Sequence, residues 1–417
     1  MIRLLVKAIP LITTILLIAC GGSAPVNSEQ EGRILLWHQW NGADEETLNE
    51  LLDMFNEVYP EITVISIAHP PDGLKESFID AATRGLGPDI MIGSQLWTPE
   101  LADTQLIRAV DETNINAESY LAPALNTLRY RDKLYGLPLS LETSALYYNK
   151  RLSEEPPETL TELLEHAAGG QKVAINTNFD TASWGIQAFG GRMLDEEGRV
   201  VLNQGGFANW LDWLIEAGNL PNVILSKDEA ILNDLFAQGE VTYYVGQSSE
   251  LLELQEILGA EVVGVSPLPA GPNNSAGPFL STEPIFFSMD SSAAQTERAM
   301  LLIEFLGNVE QQRRLALQSG RVPVNPQARI DRRISPAVAG FVEQSKTANP
   351  LLLLPQIFDV IEVGEETYLQ ALEGLVTSSD AARELTEAVN DSHGLNTVEV
   401  TPTALCSSVG EFEVWHA

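Results

Sequence analysis

A chain of 417 residues is too long for a single hydrophobic core and predicts two lobes. Its apolar fraction of 44% and charged fraction of 20% are those of a globular protein, but 24 basic against 58 acidic residues leave a formal charge of −34. Such a surface repels phosphate backbones and anionic headgroups, which argues against nucleic acid and against peripheral membrane binding through surface charge.

Residues 1–20 read as an export signal. Arg3 and Lys7 form a basic start, and Leu11 to Ile18 form an apolar core too short to span a bilayer. Leu17-Ile18-Ala19-Cys20 resembles the bacterial lipobox, whose cysteine becomes lipid-modified after cleavage. Residues 21–33 have the small, polar composition of a flexible tether. With Cys20 assigned to lipid attachment, Cys406 has no partner and no disulfide is expected. No later stretch reaches the roughly 18 apolar residues of a membrane span.

A short apolar strand from Arg33 then runs into a loop carrying Trp37, His38, Trp40 and Asn41. Leu48, Leu51, Leu52, Phe55 and Tyr59 recur at helical spacing, with Asp44, Glu45 and Glu46 in the positive first turn, so 43–59 is predicted helical. Residues 62–68 read as a buried strand and 74–84 as a second helix. Residues 89–92 form a strand leading into the loop Gly93-Ser-Gln-Leu-Trp97. Strand–helix units in succession imply a parallel α/β sheet, and ligands of such sheets bind at the carboxyl ends of strands. Residues 135–150 read as two extended pieces around Glu142-Thr143-Ser144, where the chain first crosses between lobes. Beyond it, Thr159 caps a helix, a strand is expected at 173–176, helices at 208–217 and 228–238, and a strand at 241–245. A further helix to 258 and a strand at 261–265 follow, then a loop to Pro278, a return strand at 284–288 and one long helical stretch over 293–318. Residues 326–395 are largely helical. The chain thus visits the first lobe over 34–142 and 279–325, and the second over 143–278 and 326–395. Several crossings suit a hinged clamp.

Residues 396–417 read as a tail. Gly410-Glu-Phe-Glu-Val-Trp-His416 repeats the pattern of Gly32-Arg-Ile-Leu-Leu-Trp-His38, which fits the truncated start of a second copy or the relic of a fusion; chance similarity is the competing reading.

Over about Ile34 to Asn390 the chain resembles the extracellular solute-binding proteins of ABC importers, in the sugar-binding group that includes maltose-binding protein. The stretches that carry the likeness are Trp37-His-Gln-Trp-Asn-Gly42, Tyr59-Pro-Glu-Ile-Thr-Val64, Gly87-Pro-Asp-Ile90, Leu134-Tyr-Gly-Leu-Pro138, Leu146-Tyr-Tyr-Asn-Lys150, Phe236-Ala-Gln-Gly-Glu-Val241 and Gly320-Arg-Val-Pro-Val324. The resemblance implies a two-lobe, type II periplasmic-binding-protein-like α/β fold with the ligand cleft between the lobes, and an ABC permease as partner. Together with the lipobox at Cys20 it leads to the expectation of a monomer in the cell envelope, exported and held by lipid on Cys20; no cofactor or metal is expected.

Sugars pack their C–H faces on aromatic rings and bind their hydroxyls to a few fixed polar groups. Trp40 and Trp97 on strand-end loops are therefore candidate stacking platforms, with Asn41 and Gln95 as hydroxyl partners. The family counterpart of Glu142 faces the ligand, and the family places second-lobe contacts around Asp180 and Trp184. Tyr244 and Gln247 at a second-lobe strand end, and Ser281 and Glu283 in the return to the first lobe, complete the expected walls. Trp210 and Trp213, three apart on one helix face, read as core. The family often carries aromatics after the strand at 241–245 and after Pro355-Gln356, but here stand Gly246-Gln-Ser-Ser249 and Asp359-Val-Ile361. That departure argues against a long malto-oligosaccharide. The 5 histidines are scattered, and no metal, P-loop, nucleophile-elbow or dinucleotide motif occurs. A binding protein rather than an enzyme is expected. A non-sugar solute such as a polyamine or organic cation, with Glu142 and Glu283 as charge partners, is the alternative, and a glycoside-acting enzyme the more distant one.

Overall fold

A computed structural model describes residues 32–70 and 72–398. The export signal, Cys20, most of the tether, Cys406 and the Gly410–His416 repeat lie outside the described residues.

The first strands are β1 (Arg33–His38), β2 (Thr63–Ala68) and β3 (Ile90–Ile92), and β1 pairs in parallel with both of the others. The helices Gly42–Val58 and Leu74–Thr83 make the crossovers that parallel pairing requires. Leu48, Leu51, Leu52 and Phe55 are buried on one face of the first helix. At about 1.5–3 kcal/mol each, their burial outweighs the weak helix preference of the polar face. β2 departs from its expected buried character. It is the edge of the sheet, and Ile65 and Ile67 are 40% and 39% exposed. Its apolar run packs on one side only.

A small hairpin, β4 (Arg129–Tyr130) with β5 (Lys133–Leu134), precedes the organising strand β6 (Leu137–Asn149). The two extended pieces expected around Glu142-Thr143-Ser144 are one unbroken strand. The polar residues do not end it because the ladder continues through them: Thr143 pairs with Leu280, and the Thr143 hydroxyl donates to the Phe279 carbonyl at 3.0 Å. Leu139, Leu141, Ala145 and Tyr147 meanwhile stay buried.

Beyond β6 come β7 (Val173–Asn176), β8 (Val223–Ser226), β9 (Tyr243–Gln247) and β10 (Val263–Ser266). The chain returns through β11 (Phe279–Phe287), followed by the short β12 (Val322–Pro323) and β13 (Asn349–Pro350). The main sheet runs β2-β1-β3-β11-β6-β9-β7-β8. Within it β6 changes partners. Residues up to Thr143 pair with β11 and β12, and residues from Ser144 onward pair with β9 and β10. The long helix expected over 293–318 is two helices, Ala293–Leu306 and Val309–Gln318. Asn308 causes the break, because its side chain accepts from the Glu310 and Gln311 N–H groups at 3.0 Å and so starts a new helix.

One core fills the β1–β3 side and runs under β6 to Phe341, while a second lies around Trp184, Trp210, Phe207 and Tyr368. Trp210 and Trp213 stack in that second core with ring centroids 5.0 Å apart. No helix of the described residues is long and apolar enough to cross a membrane.

Candidate ligand site

A cavity of about 170 Å³ opens where the loop after β3 meets β6, β11 and the second lobe. From the first lobe it receives Ser94, Gln95 and Leu96, and from β6 and β11 it receives Glu142, Ser144 and Ser281. Asp180, Thr181 and Gln247 reach it from the second lobe, and Phe279 supplies its aromatic face. Its walls are hydroxyls, amides and two carboxylates around one ring, with no lysine, arginine or histidine.

Glu142 faces this cavity because it stands opposite Ser281 in the antiparallel ladder, and opposed residues share a sheet face. Burial among the cavity walls pushes its carboxyl up to about 7, Glu283 adds to the rise, and Arg321 opposes it. No protein group among the described residues hydrogen-bonds that carboxyl. At neutral pH it is therefore poised between accepting two hydrogen bonds and donating one.

Beneath Glu142 lies a buried ionic cluster. Arg321 pairs with Glu283 and, at 2.7 Å, with Asp44. Glu283 also accepts from the Trp40 indole N–H at 2.6 Å and from the Ser140 hydroxyl at 3.2 Å. The Arg321 guanidinium lies 3.7 Å from the Trp40 ring centroid, close enough for cation–π attraction. Burial pushes the Glu283 carboxyl up, and Arg321 and Trp40 work against that rise.

Several expected site residues are placed elsewhere. Trp40 is 3% exposed and turned inward. Its backbone N–H donates to His38 Nδ1 at 3.1 Å, which folds the loop back and leaves the indole under the sheet end as support for Glu283. Asn41 is exposed just before the helix Gly42–Val58 and does not line the cavity. Trp97 is half-buried against Gly93, where its ring occupies the space an added Cβ would need. Trp184 is fully buried, 4.5 Å from Trp210 between ring centroids. Tyr244 is also fully buried, its hydroxyl donating to Glu250 at 2.7 Å. Glu283 serves Arg321 rather than the cavity.

Gln95 lines the cavity, but its amide is already occupied. It accepts from the Thr282 N–H and donates to the Leu351 carbonyl, both at 2.9 Å, tying the β3 loop to β11 and to the chain after β13. Glu142, Asp180, Gln247 and Ser281 are brought together around the cavity. That reading missed Phe279 and Arg321. Phe279 stands at the end of the loop-rich 267–278 segment, and Arg321 was visible only as one residue of Gly320-Arg-Val-Pro-Val324.

A neighbouring cavity of about 240 Å³ shares Phe279 and is lined in the second lobe by Gln187, Arg192 and Met193. Among the described residues no group of three or more His, Cys, Asp or Glu side chains could hold a metal ion.

Known proteins resemble the chain along most of its length. The profile of bacterial extracellular solute-binding proteins matches residues 50–339. The maltotriose-binding protein of Pyrococcus abyssi is 25% identical over 330 residues, covering 74% of this chain and 71% of that protein. The galactooligosaccharide-binding protein of Bacillus subtilis is 24% identical over 377 residues, covering 82% and 86%. Among solved structures, the cyclic alpha-maltosyl-1,6-maltose-binding protein from Arthrobacter globiformis superposes with a TM-score of 0.75 at 18% identity, covering 86% of this chain and 98% of that one. Maltose-bound MalE from Listeria monocytogenes gives 0.74 at 19% identity, with 89% and 100% covered. These structures share the two-lobe fold. A family match of this extent, on a fold whose polar cleft sits between two sheet halves, means that the chain belongs to the bacterial extracellular solute-binding proteins.

Proposed function

We propose that the protein captures a carbohydrate by closing its lobes on it and delivers it to an ABC permease. The lobes are 34–142 with 279–325, and 143–278 with 326–395. The observation that carries this reading is the wall composition of the cleft: Glu142, Asp180, Gln247 and several hydroxyls surround the ring of Phe279. One aromatic face with convergent acceptors and donors is what a pyranose needs. Phe279 takes the stacking role first given to Trp40, Trp97 and Trp184. The adjoining cavity that shares Phe279 leaves room for a second sugar ring, so a short oligosaccharide is the preferred ligand. The named sugars of the relatives from Pyrococcus abyssi and Bacillus subtilis support the same class.

The two carboxylates Glu142 and Asp180, with no base among the cavity walls, favour one second reading, an organic polycation. Isothermal titration of the mature protein against mono-, di- and trisaccharides and against polyamines separates the two. Heat from a sugar, lost in Glu142→Gln, supports capture of a carbohydrate. Silence with every sugar and heat from a polyamine overturns it.

The protein acts without catalysis in this reading, so a bound glycoside is recovered unchanged after hours of incubation. Its setting is the outer face of a membrane, held as a monomer by lipid on Cys20. Metabolic labelling with a fatty acid tests this, because label that persists in Cys20→Ala would place the anchor elsewhere.

A further inference from the structure

On the opposite side of the crossing strands lies a second cavity of about 590 Å³, larger than either cavity at the cleft and sharing no residue with them. β11 divides the two sides. Phe279 and Ser281 line the cleft, and Leu280 between them lines the rear cavity. Leu121 and Pro123 at the helix Ala122–Asn126 wall it from the first lobe. Ala339 and Val342 on the helix Pro336–Gln344 wall it from the second. Its size is that of a small-molecule pocket, and its floor is apolar.

The rim of this cavity has the opposite charge to the molecule. Arg329, Arg332 and Lys346 border it against a single carboxylate, Glu343, in a chain with more than twice as many acids as bases. Lys346 is paired with Glu343, and the nearby Arg333 with Asp331. Arg329 and Arg332 take part in no ion pair among the described residues, although 58 carboxylates are available to the chain. Arginine is the cation suited to bidentate contact with an acid group while its stem packs on apolar surface.

We propose that this rear cavity binds a small anionic amphiphile, an apolar body with one carboxylate or sulfonate group, with Arg329 and Arg332 holding the acid and Leu280, Ile330 and Val342 the body. The ligand is a freely diffusing molecule, because a chain of formal charge −34 is repelled by an anionic bilayer. Since the walls come from both lobes, an occupant fits one lobe arrangement better than the other and acts as a wedge on closure.

The test uses the mature protein with no sugar present, so that its outcome is independent of what the cleft binds. Anilinonaphthalene sulfonate reports occupancy by fluorescence, decanoate is the competitor, and 1-decanol is its uncharged control. Saturable displacement by decanoate, weakened roughly tenfold in Arg329→Gln/Arg332→Gln and abolished by filling the cavity with Ala339→Trp, is expected. Circular dichroism confirms that each variant is folded. The radius of gyration from small-angle scattering changes on adding decanoate to the parent protein and stays constant in the double variant. Equal displacement by decanol, unchanged affinity in the double variant, or binding with no change in the radius of gyration overturns the proposal.

Discussion

Replacing Arg321 with methionine removes the guanidinium that Glu283 and Asp44 share, while keeping an apolar stem beside Trp40. The Arg321 side chain is 15% exposed, and its partners Glu283 and Asp44 are 10% and 25% exposed. The carboxylates left behind are therefore short of water. Breaking a buried pair by removing one partner costs about 3–5 kcal/mol. Asp44, the more exposed partner, regains part of its hydration, which places the cost near the lower figure. At about 2.1 cal/mol/K per residue, a cooperative unit of roughly 370 residues loses about 4 °C in melting temperature for ~3 kcal/mol. Scanning calorimetry at pH 7.5 reads this directly. Glu283→Gln added to Arg321→Met restores at least half of the loss, because it removes a charge that no longer has a partner. The sign with pH is also fixed. Without Arg321 the Glu283 carboxyl rises further above its unfolded value, so the penalty is full above that raised value and fades as pH falls. A single variant melting within about 1 °C of the parent at pH 7.5 would refute the reasoning, since the cluster would then be solvated rather than buried.

Three further outcomes follow from the same geometry. Glu142, raised from 4.5 to about 7, binds more protons folded than unfolded across that interval, so its cost to stability grows as pH rises from 4.5 and is complete above about 7. Glu142→Gln removes that slope and stabilises the protein at pH 8 by at most about 3 kcal/mol, less the share returned by water in the cleft; parallel urea titrations at pH 5 and 8 measure the difference. Phe279→Ala weakens sugar binding by roughly tenfold with little change in melting temperature, and titration calorimetry showing unchanged affinity would remove Phe279 from the site. Gln95→Ala orphans the Thr282 N–H and the Leu351 carbonyl and costs about 1–3 kcal/mol, a loss read as a lower urea midpoint and absent if water replaces the amide.

The framework was legible because it rests on local patterns. Helical spacing at Leu48–Phe55 and the apolar runs of β1, β3 and β7 each specify an element without help from distant residues. The unbroken course of β6 was not legible, since Glu142-Thr143-Ser144 would interrupt an isolated strand and is carried only by partners on β11 and β9. Side-chain direction was the main loss. Glu142, Asp180, Gln247 and Ser281 reach the cavity, whereas Trp40, Trp184 and Tyr244 turn away from it. Nothing near Trp40 in sequence reveals that Arg321, 281 positions later, waits beneath it with a guanidinium. Large aromatics at strand ends lower the free energy either by stacking on a ligand or by filling the core, and the composition of the stretch is the same in both cases.

The partner exchange within β6 gives Glu142 a further meaning. The strand leaves β11 after Thr143 and joins β9 from Ser144, so Glu142 stands one residue short of the point where the two sheet halves meet. A continuous strand resists sliding but tolerates added twist, and in the proposed closure twist there would move Asp180 and Gln247 relative to Glu142 and Ser281. A ligand that touched only Glu142 and Ser281 would bind both lobe arrangements equally and shift neither. One that also reaches Asp180 and Gln247 gains contacts only when the lobes approach, and that difference is the whole of the energy available for closure.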